Sequence, residues 1–148
     1  MKLSTKGRYA SRAMLDLALH YGTDPVLLRN ISRRQDISER YLERLMASLV
    51  TAGLVISMRG KKGGFRLAKP PKEIRLSQVI QATEGSLSPV FCVDDPNQCN
   101  RVQKCATHDV WEKLKSEIFK TLDSVTLDKL IEIHQNKQSS SDATVYVI

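Results

Sequence analysis

Apolar residues in the first third of the chain recur with the helical period. Tyr9, Ala10, Ala13, Met14, Leu17 and Tyr21 mark a first amphipathic helix, which Ser4 or Thr5 can cap and Gly22 can end. Asp24-Pro25 is a turn signal. A short helix over 28–35 follows, with Leu28 and Ile31 facing inward. Asp36-Ile37-Ser38 breaks it, and Ser38 can cap a third helix. The buried stripe of that helix is Tyr41, Leu42, Leu45, Met46, Leu49 and Val50, and Gly53 stands where a C-terminal glycine cap belongs. The pattern then changes to strands. Leu54 to Met58 and Phe65 to Leu67 flank the glycine-rich basic turn Arg59-Gly60-Lys61-Lys62-Gly63-Gly64. Helix, helix, turn, helix, hairpin is the order of a winged helix-turn-helix, here over residues 1–75.

Pro70-Pro71 closes this unit. Leu76 to Glu84 predicts a short amphipathic helix, with Ser77 as a candidate cap. Residues 85–104 have no helical period and predict a long loop, a length usually reserved for function or disorder. From Cys105 a long helix is predicted. Its Trp111, Leu114, Ile118, Thr121/Leu122 and Val125 alternate spacings of three and four, which makes a seam for a partner helix. Thr126 caps a final short helix carrying Leu127, Leu130 and Ile131. Residues 136–148 begin polar and predict a flexible tail, whose last four residues, VYVI, could add a strand. The fold class is therefore mainly α with a small β-hairpin: a winged helix-turn-helix (1–75), a loop with long helices (76–135) and a tail (136–148).

Composition and charge add to this picture. A hydrophobic fraction of 41% supplies a core, so disulfides are not needed to hold the fold. The N-terminus lacks the apolar run of a signal peptide, and no stretch is apolar for long enough to span a membrane, which predicts a cytoplasmic protein. The net charge of +7 is uneven. Residues 1–75 carry 16 Lys/Arg against 6 Asp/Glu, and the remainder carries 7 against 10. A basic first half points to a polyanion partner.

The helix order says where that partner would sit. The second helix of a helix-turn-helix enters the major groove with its N-terminal residues first. Outward positions there are Ser38, Glu39, Arg40, Glu43 and Arg44. Arg40 and Arg44 suit bidentate contact with guanine, and Glu43 can accept from cytosine or repel phosphate. Arg59, Lys61 and Lys62 at the hairpin tip can enter the minor groove or hold phosphates. Ser4, Thr5, Lys6 and Arg8 can meet the DNA backbone at the start of the first helix, where open N–H groups favour phosphate.

All three cysteines lie in one stretch, spaced Cys92-x6-Cys99-x5-Cys105-x2-His108. An odd count in a reducing compartment argues for metal or redox chemistry rather than disulfides. Three thiolates and one imidazole make a four-ligand set. Cys105 and His108 share one face of a helix start, where the thiolate is favoured. Structural zinc prefers closer cysteine pairs, and iron–sulfur clusters tolerate irregular spacing. The residues alone leave both metals open. His20 and His134 stand without such company and read as structural or surface residues. No nucleophile–base pair, paired carboxylates or phosphate loop stands out, so an enzyme is not expected.

LSTKGRYA, ISERYLERLM, LVISMRGKKGGFRLAKP and CATHDVW resemble the IscR group of the Rrf-two-type winged-helix family over roughly residues 1–135. The resemblance implies a homodimeric bacterial transcription regulator carrying a 2Fe–2S cluster on Cys92, Cys99, Cys105 and His108. It also implies a pseudo-palindromic double-stranded DNA operator, cluster-assembly proteins as cluster donors, and control of cluster-biogenesis genes. DNA-reading positions would be Ser38, Arg40, Tyr41, Glu43 and Arg44, with Arg59 in the minor groove. The long helix becomes a dimerisation helix. Nitric-oxide-sensing relatives use an acidic ligand near the N-terminus, where this chain has Arg8. Cysteine-metabolism relatives generally lack the cysteine triad. A redox-responsive regulator of the same family, and a small iron–sulfur or zinc protein without regulatory role, are the rival functions.

Overall fold

The computed structural model describes residues 2–145. Three helices open the chain: α1 (Thr5–Leu19), α2 (Leu28–Gln35) and α3 (Glu39–Thr51). Ser4 caps α1 and Ser38 caps α3, their hydroxyls accepting from Lys6 N and Tyr41 N at 3.1 and 3.3 Å. Asp36 makes the turn between α2 and α3 in the left-handed region at φ 52°. The Ser32 hydroxyl donates to the Ile37 carbonyl across that turn at 2.6 Å, and Ile37 is buried beneath it.

The strands β1 (Val55–Met58) and β2 (Gly64–Leu67) pair antiparallel, Val55 opposite Leu67 and Met58 opposite Gly64. Val26 exchanges two 2.8 Å backbone hydrogen bonds with Phe65, so the segment before α2 adds a third edge to the wing. Gly64 permits this approach: a Cβ there would stand 2.6 Å from the Val26 carbonyl oxygen. The observed elements thus follow the predicted winged helix-turn-helix.

The core joins Met14, Leu17, Ile31, Leu42, Met46, Leu49, Val55 and Leu67 with residues from later in the chain. A 3-10 turn over Pro71–Glu73 leads into α4 (Leu76–Glu84), which packs against α1 and α3. Ile74, Val79 and the fully buried Leu127 complete the same core. Ser77 does not cap α4. Its hydroxyl is buried and donates to Asp123 at 2.6 Å, while Gln78 accepts from the Arg75 amide at the helix start.

Residues 85–104 form no extended loop. They fold into α5 (Phe91–Asp94) and 3-10 turns at Pro96–Gln98 and Val102–Lys104. The Asp95 carboxylate caps the second of these at Asn97 N, with Pro96 supplying a preset φ. Then come α6 (Ala106–Asp123) and α7 (Leu127–Val145). The polar segment predicted as a flexible tail from residue 136 is helical to Val145. No Gly or Pro follows Pro96 to break it, and the hydroxyls of Ser139 and Ser141 return to the carbonyls four residues back. The expected VYVI strand begins at that last helical residue, and its other three residues lie outside the described ones. Val50 and Tyr21, assigned inward by period alone, are exposed, because each lies at or beyond the end of its helix.

Candidate nucleic-acid interface and metal centre

On α3 the predicted outward face is the observed one. Ser38, Glu39, Arg40, Glu43 and Arg44 are exposed. The side chains of Arg40, Glu43 and Arg44 make no hydrogen bond or ion pair among the described residues, so their charges are available to a partner. Tyr41 differs: its ring is half-buried and meets Tyr9 edge-on at 5.7 Å, and Arg12 lies over the Tyr9 ring. At the wing tip Arg59, Lys61 and Lys62 are exposed and likewise unpaired.

At the start of α1, Lys6 and Arg8 are exposed and Thr5 is half-buried. Of the open N–H groups expected there, those of Lys6 and Gly7 are already satisfied, the first by the Ser4 hydroxyl. Glu84 Oε1 accepts from Ser4 N at 3.1 Å, from Gly7 N at 2.9 Å, and from the Ser4 hydroxyl. A carboxylate occupies the place where a helix start would draw phosphate. This leaves the side chains of Lys6 and Arg8 as the cationic groups of that turn.

The end of α2 is held on α1 by an ion pair, buried at its carboxylate and open at its guanidinium, that the sequence pattern does not reveal. The Asp16 carboxylate is 1% exposed in the apolar face of α1. Arg34 donates to both of its oxygens, at 2.9 and 2.7 Å, and Gln35 adds a third bond at 3.1 Å. Burial pushes the Asp16 pKa up. The bonds from Arg34 and Gln35 and the charges of Arg34 and His20 more than offset this, and the group lies below its ordinary value. With Arg12 donating to the Gln35 carbonyl, the end of α2 is tied to α1.

The cysteine region is built on α6. His108 lies in its first turn, 5% exposed, and its Nε2 is 3.1 Å from the Cys92 carbonyl oxygen. A carbonyl only accepts, so Nε2 carries the proton and Nδ1 is the nitrogen left to ligate. Cys105 is the N-cap of α6. Its thiol is held below the ordinary range by the Thr107 hydroxyl at 3.1 Å, then by the His108 amide and more weakly by Arg101. Cys92, Cys99 and Cys105 are all free thiols and partly exposed. Asp94 anchors the Cys92 turn to α6 through Lys115 at 2.7 Å and to Ser88 at 2.5 Å; Lys115 first, then Ser86 and Ser88, hold its carboxyl far below the usual range. The spacing of 21 residues between Asp94 and Lys115 carries no local sequence signal.

The structure therefore brings Cys92 and His108 into contact, with Cys105 three residues before His108 and Cys99 on the intervening turns. The chemistry of this donor set fits a soft metal or an iron–sulfur group. No three of the four expected donor atoms lie within 4.8 Å of one another; the one such group among the described residues is His108 with the exposed Asp109 and Glu112.

Comparison with known proteins identifies the family and the fold. The family profile Rrf2, described as an iron-dependent transcriptional regulator, matches residues 3–133. The transcriptional regulator IscR of Aliivibrio salmonicida is 44% identical over 140 residues, covering 95% of this chain and 83% of that protein. Among solved structures, IscR of T. potens superposes with a TM-score of 0.76 at 43% identity, covering 93% of this chain and 91% of that one. CymR, the global cysteine regulator of B. subtilis, superposes with a TM-score of 0.75 at 36% identity, covering 90% and 98%.

Proposed function

We propose that this chain, which belongs to the Rrf2 family of iron-dependent transcriptional regulators, is a homodimeric DNA-binding regulator that senses cluster status through a 2Fe–2S cluster and controls cluster-biogenesis genes. The observation that carries this reading is the site of His108. A buried imidazole has its Nε2 proton committed to the Cys92 carbonyl, among three free cysteines, one with a lowered pKa. An ordinary surface loop has no need of such a set. The same fold occurs in a cysteine regulator, so fold alone does not choose the effector.

Cys92, Cys99, Cys105 and His108 Nδ1 would hold the cluster, with cluster-assembly proteins as donors. When bound, the group supplies a redox-active, removable centre whose presence reports iron and sulfide supply. The chain's own residues give that presence a structural meaning. Lys115 and Asp94 tie the Cys92 turn to α6. The turns carrying Cys99 have no comparable tie to α6 among the described residues, so ligation would order them. On the DNA side, Arg40, Glu43 and Arg44 would read bases, while Arg59, Lys61, Lys62, Lys6 and Arg8 hold the backbone. Ser38 and Thr5 would contribute hydroxyl contacts to the backbone, and Tyr41 would set the start of α3 from its packing on Tyr9. A cytoplasmic, DNA-associated location goes with this reading; among the described residues no helix is long and apolar enough to cross a membrane.

Anaerobic reconstitution tests the cofactor. Wild type is expected to take up iron and sulfide and show the visible absorption of an iron–sulfur chromophore. His108→Ala is expected to lose that absorption at least tenfold faster in air, since one ligand and the tie to the Cys92 carbonyl go together. Uptake of zinc with no such chromophore by wild type overturns the reading.

A further inference from the structure

Glu84 joins two parts of the molecule that the preceding reading must connect. It is the last residue of α4, and the cysteine-bearing segment begins directly after it at Gly85, whose φ of 75° lets the chain turn away. Its carboxylate holds the first turn of α1 by both the Ser4 and Gly7 amides and the Ser4 hydroxyl. Contact there is close. A Cβ on Gly7 would stand 2.7 Å from Glu84 Oε1, 3.1 Å from Glu84 Cγ and 3.2 Å from Ile80 Cδ1. Gly7 is flanked on either side by the exposed cations Lys6 and Arg8.

The other end of α4 is tied to the corner between α6 and α7. Arg75 donates to the Asp123 carbonyl at 2.6 Å, Ser77 to the Asp123 carboxylate at 2.6 Å, and Leu76 N to Val125 O at 2.8 Å. A rigid helix anchored at its start meets a pull at its other end first through the contacts of that end. The end is Glu84. A displacement of residues 85–105 therefore acts first on the bonds that place Lys6 and Arg8.

We propose that Glu84 is a positioning residue of the DNA interface. Its carboxylate holds the first turn of α1 in register with the cysteine loop, so that ordering of the loop is read as a change in how Lys6 and Arg8 meet phosphate. This rests on the DNA-binding, cluster-sensing reading above. Glu84 touches neither DNA nor cluster in this scheme; it acts through α1.

The test compares wild type with Glu84→Ala, Glu84→Gln and Gly7→Ala. For each, DNA affinity is measured with the cluster present and after its removal, and visible absorption confirms equal loading. Wild type is expected to show a ratio of roughly tenfold, in the range usual for coupled sites. In Glu84→Ala the ratio falls to about one, and the Gly7 amide exchanges faster with solvent. Glu84→Gln retains most of the ratio, because its amide oxygen still accepts both N–H bonds. Gly7→Ala, whose Cβ would stand 2.7 Å from Glu84 Oε1, matches Glu84→Ala by pushing the carboxylate away, with unchanged far-UV circular dichroism showing that the fold is kept. A wild-type ratio preserved in both Glu84→Ala and Gly7→Ala overturns the inference and leaves the sensor reading standing. Equal loss in Glu84→Gln and Glu84→Ala overturns the positioning role. A wild-type ratio of one overturns the sensor reading and this inference together.

Discussion

A carboxylate as deeply buried as that of Asp16 stays ionised because Arg34 and Gln35 meet both of its oxygens. The folded pKa lies below the unfolded carboxylate value of about 3.9. The stability it contributes is thus fully present above that value and is lost as pH falls through the folded pKa. Arg34→Met leaves the charge buried without its partner, which raises the pKa of Asp16 instead. Stability at neutral pH is then expected to fall by about 1 to 2 kcal/mol in urea unfolding, the open Arg34 end of the pair being partly screened by solvent. The deficit narrows as acid protonates the unpaired carboxyl, and a deficit that does not change with pH would contradict the assignment. Charged residues inside an apolar stripe are invisible to periodicity, which is why sequence reading found Met14 and Leu17 but passed over Asp16. The same holds for Glu84 and for Asp94 with Lys115. Their partners lie at separations of 77 and 80 residues for Glu84 and 21 for Asp94, and no local rule links them. The candidate ligand residues stood out in the sequence because cysteine is rare in this chain and clustered; the hydrogen bond of His108 Nε2 to the Cys92 carbonyl required the structure.

At the scale of elements, the proposed function gives α3 and the wing separate tasks, and substitutions should separate them. Arg40→Ala is expected to cost about 1 to 3 kcal/mol on the preferred operator and to relax the preference at one base pair. Lys62→Ala should weaken binding to all sequences alike and lower the slope of log affinity against log salt by about one per protomer. The reverse assignment of these two effects would contradict the placement of α3 in the major groove. The first three helices and the hairpin were legible because each has its own period and its own stop, Gly53 and the Arg59–Gly64 turn above all. Residues 85–104 and the end of the chain were not. Short 3-10 turns bury too little apolar surface to impose a period, and a polar helix such as the end of α7 has no stripe to detect.

The whole molecule leaves apolar surface uncovered along α6 and α7. Trp111, Val110, Phe119 and Ile133 are exposed, and Ile118 and Leu122 are partly so. The predicted seam runs through Trp111, Leu114, Ile118 and Leu122, and a second copy of the chain would cover it. Ile118→Asp is expected to turn a dimer into a monomer in sedimentation at micromolar concentration and to reduce operator affinity by at least tenfold, since each protomer then binds one half-site alone. Unchanged sedimentation would place the dimer contact elsewhere. Under the proposed function the basic half of the chain, the cysteine region and the uncovered seam would serve one purpose between them: to make DNA binding conditional on a bound cluster. The most direct test is operator affinity of one anaerobic preparation at fixed salt, before and after the cluster is removed. The account predicts a change of at least fivefold, reversed when the cluster is restored; affinities equal within error would contradict it.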